Sequence, residues 1–347
     1  MGRAVSACVF SIEEHRIDQV LPAGAGTEER KLAMVELGCA LRRRAYSFTT
    51  VTPLTHQRIN ARDSAAWAHD LPGIFGWSRP FKSATPGADM LALMHGAGVI
   101  NSDDGEGQGG GKTLRAAVRA STLDGQLYFH SAYPTSAADA VFFGPDTYRF
   151  IRALRSSLAA LHKPVRRAAD IGCGAGPGAL TLALAYPGAH VFGIDINPAA
   201  LVLTDVNARI AGAANLEAVN SNLLKDVDGQ FDLIISNPPY LLDREKRAYR
   251  HGGGDLGAGL SIAVVDEAID RLAPGGTLML YTGVAVVASA DRFRMAVEPK
   301  LRAAGFQWSY EEIDPDVFGE ELAEPAYEFA ERIAAVWLVA TRPGGAA

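Results

Sequence analysis

Apolar runs of strand length alternate with helical stretches from Val165 to the end of the chain. Strands that alternate with helices pair in parallel through crossover connections, so this pattern predicts a doubly wound α/β sheet. The five apolar runs end at Asp170, Asp195, Val219, Ser236 and Thr282. The helical stretches lie near Gly178–Ala185, Pro198–Ala211, Ser261–Leu272 and Ala288–Ala303.

Two more strand-like runs follow, Gln307–Ile313 and Ile333–Thr341, with no convincing crossover helix between them. Parallel neighbours need a long crossover connection, whereas antiparallel strands do not. We therefore expect an otherwise parallel sheet that ends in an antiparallel strand.

The first 140 residues follow a less regular pattern. Acidic residues in the first turn and arginines in the last turn predict a helix that starts at Thr27, because they match the helix macrodipole. Leu123-Asp124-Gly125 is a hairpin signal between two strands. The expected elements are helices over Thr27–Arg44 and Met90–His95, a polar loop over Asp103–Gly111, and strands over Thr113–Ser121 and Gln126–Ala132. We expect a smaller mixed α+β module, winged-helix-like in its order of elements, over residues 1–140, and a second domain over residues 141–347.

Composition narrows the class of protein. The chain has 347 residues, of which 48% are hydrophobic and 21% charged, and this balance excludes a wholly disordered chain. A net charge of −6 provides no overall basic field to attract nucleic acid or anionic lipid. No run of 18 uninterrupted apolar residues occurs, so we expect no contact with a membrane. The three cysteines, Cys8, Cys39 and Cys173, lack the spacing of a disulfide framework or a zinc site, which favours a reducing cytoplasm.

A glycine-rich turn joins the first strand of the alternating region to its first helix. It runs from Asp170 to Gly178 and contains Gly172, Gly174 and Gly176, which allow a sharp turn and a close approach to a ligand. The next strand ends at Asp195, where a carboxylate can bind both hydroxyls of a ribose. These features together predict a nucleotide-containing cofactor.

The glycine turn also fits the looser dinucleotide fingerprint, which keeps an NAD-type dehydrogenase as a competing interpretation. Asp170 weighs against it, since a carboxylate before the loop suits an ammonium group better than a pyrophosphate. The sequence Asn237-Pro238-Pro239-Tyr240, which follows a later strand, also weighs against it.

The sequence Asn237-Pro238-Pro239-Tyr240 follows the apolar strand that ends at Ser236. Two prolines fix the backbone and remove two N–H donors, while the Asn237 amide oxygen and the proline carbonyls remain as acceptors. Two such acceptors could orient an amino nucleophile so that its lone pair faces an electrophilic methyl group. Tyr240 offers a flat face on which a planar amide or base could stack.

With these motifs the chain resembles the class I S-adenosylmethionine-dependent methyltransferases that carry an Asn-Pro-Pro-Tyr motif. Within that group it is most similar to the HemK/PrmC-type glutamine N5-methyltransferases, which modify peptide-release factors. The resemblance covers roughly residues 142–342 and includes Gly252-Gly253-Gly254-Asp255 and Leu272-Ala273-Pro274-Gly275-Gly276, which are similar to further family segments.

The resemblance implies a Rossmann-like, seven-stranded α/β domain with an antiparallel last strand, S-adenosylmethionine as cofactor and no metal. The cofactor-binding residues that it implies are Asp170, Gly172, Cys173, Gly174, Ala175, Gly176, Asp195, Asn222 and Asn237. Asn222 departs from the pattern, because the family commonly has an aspartate there beside the adenine. The implied catalytic residues are Asn237, Pro238 and Tyr240, and the implied substrate-binding residues are Asn237, Pro238, Pro239 and Tyr240.

The acceptor stays open at this point, as does the oligomeric state. Residues 1–140 do not read as the helical bundle that the family uses to recognise release factors, so a protein glutamine, possibly in a translation factor, is one acceptor among several. The same turn resembles that of enzymes that methylate adenine N6 or guanine N2 in RNA or DNA. A non-catalytic, cofactor-binding partner subunit is a third interpretation.

Two charged segments bear on the acceptor. Residues 243–251 are locally basic and follow the Asn-Pro-Pro-Tyr turn, so they could contact phosphate or an acidic protein segment, or equally form a solvated loop. Residues 314–331 are strongly acidic but contain Phe318, Leu322, Tyr327 and Phe329. Because those apolar side chains can be buried, we expect this segment to form an ordered flap or helix near the substrate mouth.

Overall fold

Seven strands form the central sheet of the computed structural model, which describes residues 27–103, 113–245, 247 and 249–344. The strands are β5 (Arg167–Ile171), β6 (His190–Asp195), β7 (Leu216–Asn220), β8 (Phe231–Ser236), β9 (Leu272–Val287), β11 (Gln307–Asp314) and β12 (Arg332–Thr341). Their order is β11-β12-β9-β8-β5-β6-β7, and the two-residue β10 (Ala290–Asp291) pairs with the end of β9.

The direction of the strands confirms the predicted class. β5 to β9 are mutually parallel, and β12 is antiparallel to β9 and to β11. The chain runs outward from β5 through β6 and β7, then crosses back to β8 on the other side of β5. Ligands bind at such a reversal of strand order, beyond the carboxyl ends of the strands.

Helices cover both faces of the sheet. They are α4 (Pro145–Ala159), α5 (Pro177–Ala185), α6 (Pro198–Ala211), α7 (Gly259–Arg271) and α8 (Arg292–Ala303). Each face of the sheet packs against helices in a buried apolar cluster of its own. Successive side chains of a strand point to opposite faces, so Leu233 and Ile235 of β8 belong to one cluster and Ile234 belongs to the other.

The N-terminal part consists of α1 (Thr27–Arg43), α2 (Pro53–Asn60), α3 (Ala88–Gly96), β1 (Ile100–Asp103), β2 (Thr113–Ala116), β3 (Val118–Leu123) and β4 (Gln126–Ser131). The predicted hairpin is confirmed, since β3 pairs with β4 and both Asp124 and Gly125 have positive φ angles. One buried cluster includes side chains of this part, such as Met34 and Phe129, together with Leu203 of α6. The division of the chain at residue 140 stays a prediction.

Several predicted elements differ from the structure. The strand expected over Thr113–Ser121 is two strands, because β2 pairs with β1 whereas β3 pairs with β4. β9 continues past Thr282 to Val287, since it pairs with β12 over ten residues, and α8 begins at Arg292 rather than Ala288. The sequence pattern did not predict the helices α2 and α4. Most of the loop expected over Asp103–Gly111 lies outside the described residues. No helix among the described residues is long and apolar enough to cross a membrane.

Candidate active site

Two neighbouring cavities open at the carboxyl ends of β5, β6 and β8. We call the first the cofactor cavity; its wall includes Asp170, Gly172, Cys173, Gly174, Ala175, Asp195, Ser221, Asn222, Asn237, Pro238 and Pro239. We call the second the acceptor cavity; it is lined by Phe142, Asp146, Asn237, Pro238, Pro239, Tyr240, Leu241, Tyr249, Arg250 and Phe318. The turn at residues 237–239 belongs to both, so it stands where the contents of the two cavities would meet.

Gly176 is the one predicted cofactor residue that is not on the cavity wall. It lies behind the loop with φ +85°, and an added Cβ would come within 3.0 Å of the Thr204 hydroxyl oxygen. Its role in the structure is therefore to let the loop turn closely over α6. Gly172 and Gly174 also have positive φ angles and do line the cavity.

Asp170 lines the cofactor cavity and is 2% exposed. Its Oδ2 accepts a hydrogen bond of 2.7 Å from the Ala179 amide in the first turn of α5. Burial raises the pKa of this carboxyl to about 7, the Ala179 hydrogen bond opposes the shift, and the charge of Asp195 adds to it. A cation in the cavity would favour the ionised form.

Asp195 occupies the end of β6 and is held by the loops on either side. Its two oxygens accept hydrogen bonds from the amides of Gly174 (3.0 Å) and Asn197 (2.9 Å). Burial raises the pKa of Asp195 as well. Asn222 is exposed on the same wall after β7, so its amide is accessible to a ligand.

The chemistry of this wall fits S-adenosylmethionine. A buried carboxylate (Asp170) and a half-buried one (Asp195), both with raised pKa values, lie in one cavity, which favours a ligand that carries positive charge. The glycine loop leaves room for a close backbone approach, and Asp195 is in the position where ribose hydroxyls are bound in sheets of this type.

The Asn-Pro-Pro-Tyr turn presents unpaired acceptors. Asn237 is half-buried between the cavities, and no described residue donates a hydrogen bond to its amide oxygen or to the Pro238 carbonyl. Within the part of the chain that the structure describes, both oxygens therefore remain available to bind the N–H groups of an incoming amine or amide.

Glycines of the following segment support this turn from behind. A Cβ at Gly252 would overlap the Pro239 carbonyl, and one at Gly257 would overlap the Tyr240 carbonyl. The segment therefore packs directly against the backbone of the turn, which explains why it is rich in glycine.

Tyr240 is buried rather than open to solvent, with 6% of its surface exposed. Gly283 of β9 makes room for its ring, because a Cβ there would overlap the ring. The Tyr240 hydroxyl donates a hydrogen bond to Asp146 of α4. Sequence reasoning missed Asp146 and Gly283; a glycine inside a strand is the one signal that could have indicated a close approach at residue 283.

A stacked aromatic pair forms part of the wall of both cavities. The rings of Phe142 and Tyr249 are 6.0 Å apart and nearly parallel, at 10°. The Tyr249 hydroxyl donates to the carbonyl of Thr135, at 2.7 Å, which ties the segment after the turn to the chain that precedes α4. Neither residue was among the predicted site residues.

The acidic flap, residues 314–331, lies against the acceptor cavity, as predicted. Phe318 lines the cavity, with its ring 5.8 Å from that of Tyr240, and the Tyr327 hydroxyl accepts a hydrogen bond of 2.9 Å from the Leu242 amide. Two ion pairs join the flap to the basic segment: Arg250 with Glu321, and Arg244 with Glu324 at 2.8 Å. Among the described residues, no cluster of three or more His, Cys, Asp or Glu could hold a metal ion.

The chain is similar in sequence to known methyltransferases. Residues 151–286 match the family model "Methyltransferase small domain". A release factor glutamine methyltransferase of Deinococcus radiodurans is 31% identical over 247 residues, which are 68% of this chain and 84% of that protein.

The chain is also similar to two other methyltransferases over part of its length. A 4-amino-L-phenylalanine/4-methylamino-L-phenylalanine methyltransferase of Streptomyces pristinaespiralis is 31% identical over 172 residues, or 45% of this chain and 56% of that protein. The crystal structure of the M. jannaschii tRNA m1G37 methyltransferase superposes with a TM-score of 0.45 at 16% identity, over 66% of this chain and 60% of that one.

Proposed function

Since this chain belongs to the release factor glutamine methyltransferase family, we propose that it methylates the side-chain amide nitrogen of a glutamine in a release factor. The observation that carries the proposal is the pair of free acceptors, the Asn237 amide oxygen and the Pro238 carbonyl, at the junction of the two cavities. A primary amide carries two N–H groups, one for each of these acceptors.

S-adenosylmethionine is the cofactor, and its sulfonium supplies an activated methyl group when it is bound. We propose that Asp170 and the glycine loop hold its amino-acid part. Asp195 would accept hydrogen bonds from the ribose hydroxyls, and Asn222 would lie beside the adenine.

The residues around the acceptor contribute orientation and a dry site. Hydrogen bonds to Asn237 and Pro238 would turn the lone pair of the amide nitrogen toward the cofactor cavity. Tyr240, Phe318 and the stacked pair of Phe142 and Tyr249 surround the reacting nitrogen with apolar surface and exclude water.

The charge near the acceptor cavity supports a protein acceptor over RNA or DNA. Each described arginine of the basic segment has a carboxylate partner: Arg244 pairs with Glu324, Arg247 with Asp243 at 2.5 Å, and Arg250 with Glu321. Phosphate would have to displace these carboxylates, and the rest of the acidic flap would repel it.

We also propose that residues 1–140 form a module that recognises the substrate. The contact from Tyr249 to Thr135 supports this, because it connects the acceptor cavity to the end of that part. We propose the cytoplasm as the compartment, because the three cysteines lack the spacing of a disulfide framework.

The test incubates the full-length protein with methyl-labelled S-adenosylmethionine and a purified bacterial release factor, with total RNA in a parallel reaction. We expect label in the release factor and a methylated glutamine in its peptide mass spectrum. The matched control is a release factor with that glutamine changed to asparagine, which should stay unlabelled. Label in RNA alone, or in neither acceptor, would contradict the proposal.

A further inference from the structure

The hydroxyl of Tyr240 is bound by a carboxylate that lies 94 residues away in the chain. Asp146, in the first turn of α4, accepts this hydrogen bond at Oδ2. Its Oδ1 accepts from the Tyr281 hydroxyl at 3.1 Å and from the Arg149 guanidinium at 2.9 Å. Asp146 is 5% exposed and lines the acceptor cavity together with Tyr240.

The other sides of the Tyr240 ring are already fixed by packing. Gly283 leaves space for the ring and nothing more, and Phe318 and Tyr281 approach it at centroid distances of 5.8 Å and 6.5 Å. Packing limits where the ring lies, but a directional bond is needed to fix how far the side chain reaches into the cavity. The hydrogen bond to Asp146 supplies that direction.

We propose that Asp146 is a positioning residue for methyl transfer: its carboxylate holds Tyr240 by the hydroxyl, and Tyr240 fixes the acceptor amide against Asn237 and Pro238. This inference rests on the proposed function, because it requires an acceptor that packs on Tyr240. It concerns orientation only, so Asp146 exchanges no proton with the acceptor.

Four charged or titratable groups face this carboxyl. Arg149 comes from α4, Tyr240 from the turn after β8, Tyr281 from β9 and Asp314 from β11, where it also pairs with Arg149 at 3.0 Å. Burial raises the pKa of Asp146 to about 6; Arg149 and the Tyr281 hydrogen bond oppose this shift, and Asp314 adds to it. The charge-assisted bond to Tyr240 therefore weakens as the pH falls through about 6.

The first test compares single-turnover methyl transfer in Asp146→Asn, Tyr240→Phe and the double variant. We expect each single variant to lose about tenfold or more in rate, since a small misplacement of reacting groups is costly. The affinity for S-adenosylmethionine should stay within about twofold. Because Asp146 acts through Tyr240, the double variant should be no slower than the slower single variant.

Tyr281→Phe is the matched control at pH 8, because it removes a hydroxyl from the same carboxylate and leaves the bond to Tyr240. We expect its rate to stay within about threefold of the parent, on the scale of one neutral hydrogen bond. At saturating S-adenosylmethionine, where protonation of Asp170 does not limit cofactor binding, the parental rate should fall below pH 6, and this fall should be absent in Asp146→Asn. Two results would assign Asp146 a merely structural role. One is a loss of transfer rate in the double variant equal to the combined losses of the single variants; the other is a fall in rate below pH 6 in Asp146→Asn as large as in the parent.

The second test needs no acceptor. In protein labelled with ¹³C-tyrosine, the Tyr240 signal, assigned with Tyr240→Phe, should shift with a midpoint near pH 6 in the parent and not in Asp146→Asn. A signal that does not titrate, or that titrates equally in Asp146→Asn, overturns the inference. If the parent methylates no release factor, the proposed function fails, and this titration alone then decides whether Asp146 holds Tyr240.

Discussion

Asp170 and Asp195 gain their chemistry from burial in one cavity. Each closes a strand of the central sheet, and neighbouring parallel strands bring the two ends to the same edge. Burial raises the pKa of both carboxyls and leaves the cavity prepared for a cation.

We expect the affinity for S-adenosylmethionine to fall as the pH is lowered from 8 to 6. The pKa of Asp170 in the free protein is about 7, so its carboxyl is mostly ionised at pH 8 and mostly protonated at pH 6. The cationic ligand favours the ionised form. At a pH one unit below the pKa of Asp170, the affinity should therefore be about tenfold lower than at high pH. Titration calorimetry at pH 6, 7 and 8 measures this.

Asp170→Asn is the control for this pH dependence. It should bind the cofactor more weakly at pH 8 and lose most of the slope between pH 8 and 6. A slope equal to that of the parent would show that another group titrates.

Asn237→Ala should separate cofactor binding from turnover. The change removes one acceptor for the nucleophile and leaves the glycine loop and Asp195 unchanged. Cofactor affinity, measured by calorimetry, should stay within a few-fold, while single-turnover methyl transfer should fall by about 10² or more, since misorientation alone costs that much. Transfer at the parental rate would reduce the turn to a structural feature.

At the scale of elements, β9 does more than complete the sheet. It lies beside β8 and places Gly283 against the Tyr240 ring, while Tyr281, two residues earlier, points to the same face and reaches Asp146. The segment of Gly252 and Gly257 supports the same turn from another side. The acceptor cavity is therefore shaped by elements that follow the motif in the chain.

Gly283→Ala should impair methyl transfer without weakening cofactor binding. The added methyl group overlaps the Tyr240 ring, so the ring must shift. We expect a loss of about tenfold or more in transfer rate, because displacement of a positioning group by a fraction of an ångström is costly. Initial rates and calorimetry measure the two quantities.

Gly188→Ala is the matched control, since an added Cβ there meets open space and the φ angle is not positive. Its transfer rate should equal that of the parent. Equal rates in Gly283→Ala and Gly188→Ala would mean that the Tyr240 ring can shift without consequence.

At the scale of the whole molecule, Asn207 connects the N-terminal part to the glycine loop. This residue of α6 is 1% exposed, and its amide bonds both the N–H (2.8 Å) and the carbonyl (3.0 Å) of Phe129 in β4. It also donates to the Ala175 carbonyl at 2.9 Å. One side chain thus fixes the hairpin, α6 and the cofactor loop together.

Asn207→Ala should lower the free energy of unfolding by about 2–4 kcal/mol, because it leaves several buried backbone groups without a partner. Urea denaturation measures this, and weaker cofactor binding should accompany it because the loop loses a support. Arg209→Ala is the control on the same helix: its ion pairs with Asp205 and Glu28 are part-exposed, so it should cost about 1 kcal/mol or less. Equal losses in the two variants would contradict the linking role of Asn207.

The sequence by itself determined the parallel sheet with its antiparallel last strand, the glycine loop, Asp195 and the Asn-Pro-Pro-Tyr turn. These features are local, because a periodic pattern or a contiguous motif specifies each of them, and strand ends in such a sheet meet at one edge. The position of the flap at residues 314–331 was also predictable, since Phe318 and Tyr327 pack against the acceptor cavity and the segment beside it, although Phe329 stays 78% exposed.

Only the tertiary structure decided which residues complete the acceptor cavity. Asp146 and Gly283 reach Tyr240 because the sheet places β9 beside β8 and α4 packs against β9 through Phe150 and Tyr281, a relation that no local pattern encodes. The same applies to Tyr249, whose bond to Thr135 spans 114 residues, and to Gly176, which the fold turns toward Thr204 and away from the cavity. Contacts between distant segments depend on strand order and packing, so they follow from the fold as a whole.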